Sequence, residues 1–116
     1  MSKYRPIVII ESPYAGKVNR NKKYARRCMR DSLDRGESPF VSHILYTQVL
    51  DDTNPDQRKV GMTAGFSFIP ISSYTVVYED YGISGGMQEG IKLAKALKHR
   101  VERRTIGKNA IHRRTN

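Results

Sequence analysis

Three short stretches carry side chains suited to chemistry. Asp80 and Glu89 flank Gly82-Ile83-Ser84-Gly85-Gly86, a glycine-rich turn that follows a β-forming run and opens a helical pattern at Met87. Two carboxylates so placed can face one pocket, for acid–base work or for stabilising or capturing an oxocarbenium-like sugar carbon. The competing reading is structural: Glu89 complements the positive start of a helix and Asp80 caps the turn. The turn also offers backbone N–H groups to an anion or a ribose; otherwise its glycines serve only a tight reversal of the chain. Its spacing matches neither a Walker loop nor a dinucleotide fingerprint.

Ser12-Pro13-Tyr14-Ala15-Gly16 brings a hydroxyl, an aromatic face and closely approachable backbone, a platform for a base or a sugar. His43, followed by Tyr46, Thr47, Gln48, Asp51 and Asp52, supplies a polar side to the same pocket. Taken alone, His43 is more often a hydrogen-bonded strand-end residue than a catalyst. No Ser-His-Asp order with a nucleophile elbow is present. Cys28 is the single cysteine, so it has no internal disulfide partner, and no metal-ligand spacing surrounds it. Neither a metal nor a cofactor is expected.

The elements that hold these stretches follow from periodicity. Pro6 to Glu11 is a short β-branched run suited to a strand buried on both faces. From Asn19 to Arg35, Ala25, Cys28, Met29, Ser32 and Leu33 recur at helical spacing between basic residues, and Gly36 ends the pattern. Phe40 to Leu45 reads as a second strand and Tyr46 to Asn54 as a polar loop. Asn54-Pro55 is an N-cap with proline in the first turn, leading into a helix over Arg58 to Phe68. Tyr74 to Tyr78 is a third strand, Met87 to Lys98 a helix and Val101 to Ile106 a last strand.

Strands alternating with helices predict an α/β fold, three-layered and Rossmann- or flavodoxin-like, with a short parallel sheet of about four strands. In such sheets a ligand sits beyond the carboxyl ends of the strands, where the three stretches above should converge. Length and charge agree with a single domain. The 116 residues carry a net charge of +10 and 38% apolar side chains, enough for one modest core. One domain is expected over residues 1–106, followed by a basic tail over 107–116. The charge is uneven: nine basic and one acidic residue over 1–30, three and nine over 31–91, nine and one over 92–116. An acidic middle between basic ends suits a carboxylate-bearing site beside surfaces that attract phosphate. Apolar stretches are too short to span a bilayer, and the first residues lead into a strand rather than a secretory signal, so a cytoplasmic protein with no membrane partner is expected.

At Ser12-Pro13-Tyr14-Ala15-Gly16, Pro39-Phe40-Val41-Ser42-His43-Ile44-Leu45-Tyr46-Thr47-Gln48 and Asp80-Tyr81-Gly82-Ile83-Ser84-Gly85-Gly86-Met87-Gln88-Glu89, the chain resembles small phage and bacterial domains of the nucleoside 2-deoxyribosyltransferase-like superfamily. In that superfamily a glutamate early in the last helix attacks the anomeric carbon of a nucleoside. An aspartate near the preceding strand end contacts the base, and a first-loop tyrosine orients the nucleophile. The resemblance implies these roles for Glu89, Asp80 and Tyr14. Members place the glutamate four residues before a small helix residue; counting back from Ala94 reaches Gly90, so Glu89 stands one residue early, about 100° around the helix.

The expected function is binding of a nucleoside, a nucleotide or a nucleotide-derived molecule, with cleavage or transfer of an N-glycosidic bond. Ser12, Pro13, Gly16, His43, Tyr46, Gln48, Gly82, Ile83, Ser84, Gly85, Gly86 and Met87 are the expected ligand contacts. A non-catalytic binder that sequesters or senses the same kind of molecule is the alternative. Nucleic-acid binding through the basic face of the first helix is a further class, less favoured because stacking aromatics are absent there. A chain this short encloses a ligand poorly, so a homo-oligomer is expected to help close the pocket.

Overall fold

The structure, a computed structural model, describes residues 4–107. Of the basic tail expected over 107–116, all but Gly107 lies outside the described residues. Strand β1 (Ile7–Glu11) leads to helix α1 (Val18–Asp34), edge strand β2 (Ser38–Phe40) and a single helical turn, α2 (Ser42–Leu45), with a 3-10 turn at Tyr46–Gln48. Helix α3 (Pro55–Phe66), strand β3 (Tyr74–Tyr78), helix α4 (Gly85–Ala96) and strand β4 (Val101–Arg104) complete the order. The four strands form one parallel sheet in the order β2-β1-β3-β4.

Helices cover both faces because the central strands β1 and β3 bury side chains on both. Val8, Ile10, Val76 and Tyr78 pack with Tyr24, Ala25 and Cys28 of α1. On the other face Ile9 packs with Ile69 and Ala94, bordered by Phe40, Phe66, Leu93 and Val101. Each such aliphatic residue taken out of water stabilises the fold by about 1.5–3 kcal/mol. The chain steps from β1 outwards to β2, then back across the sheet to β3 and on to β4. With crossovers of one hand, that reversal puts α1 on one face and α3 and α4 on the other.

Local signals end the helices where the pattern indicates. Gly36 has a positive φ of 88°. Its N–H bonds the Leu33 carbonyl while the Glu37 N–H bonds that of Ser32, the double closure that a left-handed residue permits. Asn54 caps α3, its side chain accepting from the Asp56 and Gln57 N–H groups at 3.0 and 3.1 Å.

Two expectations are corrected. The second strand is Ser38–Phe40 and does not extend to Leu45; from Ser42 the chain turns helical. Val41 and Ile44, three residues apart, both join the α1-side core, a spacing that a helical turn satisfies and a strand does not. Helix α4 starts at Gly85 rather than Met87, because Ser84 caps it by accepting from the Met87 N–H at 3.3 Å. Gly85 and Gly86 are thereby first-turn residues, and Glu89 falls in the second turn.

Candidate functional site

The strand order reverses between β1 and β3, and the loops leaving their carboxyl ends separate to opposite faces, which opens a crevice in sheets of this kind. A cavity of about 510 Å³ lies there, lined by the β1 end and its loop, α2, α3 and the first turns of α4. Of the residues singled out by type and spacing, Ser12, Tyr14, Ala15, His43, Asp52, Ser84, Gly85, Gly86, Met87 and Glu89 line it.

Each is positioned by its element. Buried Asn21 of α1 donates its amide to the Tyr14 and Ala15 carbonyls at 2.9 and 3.2 Å, which fixes the loop after β1. The turn α2 carries His43 to Ser12, whose hydroxyl shares a 2.7 Å hydrogen bond with His43 Nε2. The Tyr14 ring meets the His43 imidazole edge to face, with centroids 6.3 Å apart. Burial pulls the His43 pKa down to about 4, so the ring is neutral at pH 7 and presents one donor and one acceptor nitrogen. At α4, the first-turn N–H groups of Gly85 and Gly86 have no carbonyl to bond within the helix.

The remaining singled-out residues lie elsewhere. Asp80 does not line the cavity: its carboxylate accepts from Tyr24 Oη at 2.5 Å and from the Ile106 and Gly107 N–H groups at 3.1 and 2.9 Å. It ties β3 to α1 and to the chain after β4. Pro13, Gly16, Gly82 and Ile83 are not lining residues either; Gly16 and Gly82 serve turns at φ of 90° and 82°. Tyr46 borders a smaller neighbouring cavity, and the Gln48 amide bonds the Leu45 carbonyl at 3.2 Å. Glu89 is exposed at the rim, because Met87, Gly90 and Ala94 form the buried face of α4.

Sequence reasoning missed Glu11 and Arg58, both of which line the cavity. Glu11 is the charged residue that ends the apolar run Ile7 to Ile10, and that abrupt change was its available signal. Burial pushes its carboxyl up to about 8. Arg58 pairs with Asp52 at 2.9 Å, and its guanidinium lies so close to α4 that a Cβ at Gly86 would come within 3.3 Å of it. The arrangement therefore combines a cation and a helix start at one end, a neutral Ser–His pair and an aromatic ring at another, and a carboxyl held in its acid form.

Among the described residues no group of three His, Cys, Asp or Glu side chains gathers as a metal site, and no helix is long and apolar enough to cross a membrane. A comparison with curated proteins finds no match. The family model described as a domain of unknown function, DUF7768, matches residues 6–104, which takes in the whole sheet and every cavity-lining residue, and the chain belongs to that family.

Proposed function

We propose that the chain binds a nucleoside or nucleotide in this cavity and cleaves or transfers its N-glycosidic bond, as the resemblance of its three loops to nucleoside 2-deoxyribosyltransferase-like domains implies. The observation that best supports the reading is the convergence of Tyr14, the Ser12–His43 pair and the glycine-opened start of α4 around one cavity of about 510 Å³, a size usual for small-molecule sites. In this reading the Tyr14 ring lies against the base. Ser12 and His43 hydrogen-bond a base edge or a sugar hydroxyl, and Arg58 with the α4 N–H groups meets the ribose or phosphate. A second copy of the chain closes the open side; a light-scattering mass above that of one chain supports this assembly, and a monomer mass at micromolar concentration removes it.

The non-catalytic reading has one observation in its favour: Glu89, the expected nucleophile, is exposed and off the buried face of α4. Incubation with nucleosides, nucleotides and NAD, with calorimetry for binding and chromatography for free base, decides between the readings. Binding with base release supports the enzyme. Binding alone leaves the sequestering or sensing protein, and absence of both binding and release removes both readings.

A further inference from the structure

Glu11 is the last residue of β1 and lies on the sheet face of Ile9, the face that α4 covers. At the crossing α4 presents Gly90, which is buried. A Cβ built there would stand 2.0 Å from Glu11 Oε2 and 2.7 Å from the carboxyl carbon. The glutamate side chain thus occupies space that any other residue at position 90 would fill. Its carboxyl has no hydrogen bond or ion pair with another described residue, and desolvation is the sole influence on its acidity. The residue is half-buried, and carboxyls withdrawn from water are ordinarily hydrogen-bonded or paired. One held without a partner, at the edge of a cavity, is placed for something that enters the cavity.

Resting on the nucleoside reading of this cavity, we propose that Glu11 is the catalytic acid of N-glycosidic cleavage and that Gly90 is the positioning residue that makes its place. As the bond from the sugar C1′ to the base nitrogen breaks, its electron pair moves onto the base and the Glu11 proton passes to a base nitrogen. Water then forms the new C–O bond at C1′ and returns a proton to the Glu11 carboxylate. Base and free sugar leave, and the enzyme is restored.

A pKa near 8 keeps this carboxyl protonated at neutral pH, as a general acid requires. The other titratable or charged groups lining the cavity are Tyr14, His43, Asp52, Arg58 and Glu89. His43 is already neutral, and Asp52 and Arg58 neutralise one another.

The test is base release by the full chain from adenosine, cytidine, their 2′-deoxy forms and their 5′-monophosphates, followed from pH 5 to 9.5. Binding of the same compounds is measured by calorimetry. For the parent chain kcat should fall about tenfold per pH unit above roughly 8. Glu11→Gln should lower kcat by about 10²–10⁴ with KM changed by less than about threefold, and should abolish that alkaline fall. Glu11→Asp should retain the fall at reduced rate, which also serves should Glu11→Gln not fold. Gly90→Ala, with folding checked by circular dichroism, should lower kcat while binding persists. Base release that Glu11→Gln leaves within about threefold, or an alkaline fall that survives in it, overturns the role of Glu11 and leaves the nucleoside reading standing. Binding without base release by the parent chain also overturns it. Absence of both overturns the reading together with the inference.

Discussion

Glu11 and His43 line the same cavity, and burial makes each neutral with opposite consequences for stability. The Glu11 carboxyl titrates near 8 when folded and near 4.5 when unfolded, so the native state holds an extra proton between those values and loses stability as pH rises through them. His43 titrates near 4 folded and 6.5 unfolded, so there the unfolded state holds the extra proton and stability rises with pH. From pH 4.5 to 6.5 the two slopes cancel; from 6.5 to 8 Glu11 acts alone and should remove about 2 kcal/mol. In Glu11→Gln the loss above pH 6.5 should vanish and a loss on acidification below 6.5 should emerge from His43. Urea denaturation at half-unit pH steps measures both, and a variant whose profile parallels that of the parent chain contradicts the desolvation of the Glu11 carboxyl.

Among the elements, the turn α2 is the one that tertiary contact shaped most. It brings His43 to Ser12, and it packs on α3 at Gly65, where a Cβ would fall 2.6 Å from Ser42 Oγ and 2.8 Å from Ser42 Cβ. Gly65→Ala should therefore push α2 off α3 and cost about 1–3 kcal/mol, and it should weaken ligand binding because His43 moves with the turn. Helix α4 depends on its cap instead. Ser84→Ala leaves the Met87 N–H without its side-chain acceptor and should cost about 1 kcal/mol. Thermal melts of the two variants separate a packing defect, which also alters binding at His43, from a capping defect.

Across the whole molecule, a buried polar network joins elements far apart in the chain. Arg104 of β4 forms a two-pronged pair with Glu37, just before β2, at 2.8 and 2.6 Å, with side chains only 6% and 5% exposed. Ser32 of α1 and Tyr74 of β3 also donate to Glu37, and Tyr78 bridges Arg104 to Asp31. Desolvation alone would raise the Glu37 pKa, yet hydrogen bonds from Arg104, Tyr74 and Ser32 hold it down to about 2. Its stabilisation is therefore present above pH 4.5 and lost as pH falls towards 2. Arg104→Met strands a buried carboxylate and should cost about 3–5 kcal/mol, whereas adding Glu37→Leu should recover most of the loss. Guanidinium denaturation of the single and double variants measures both; a double variant as unstable as the single contradicts the stranded-charge explanation.

Much of this architecture is legible in the chain's own pattern, because it depends on neighbours a few residues apart. The apolar run of β1, the amphipathic spacing of α1, the left-handed stop at Gly36 and the Asn54-Pro55 start of α3 are local effects, and their alternation dictates a parallel sheet with its loops gathered at one edge. The same reasoning brought Ser12, Tyr14, His43 and Ser84 to one cavity. It could not choose among the carboxylates. Whether Asp80, Glu89 or Glu11 faces that cavity depends on which sheet face a strand end meets and on how α4 is rotated when it lands. Those are set by packing between distant segments: Tyr24 draws Asp80 to the α1 face, Ser84 starts α4 early, and the absence of a side chain at Gly90 admits Glu11.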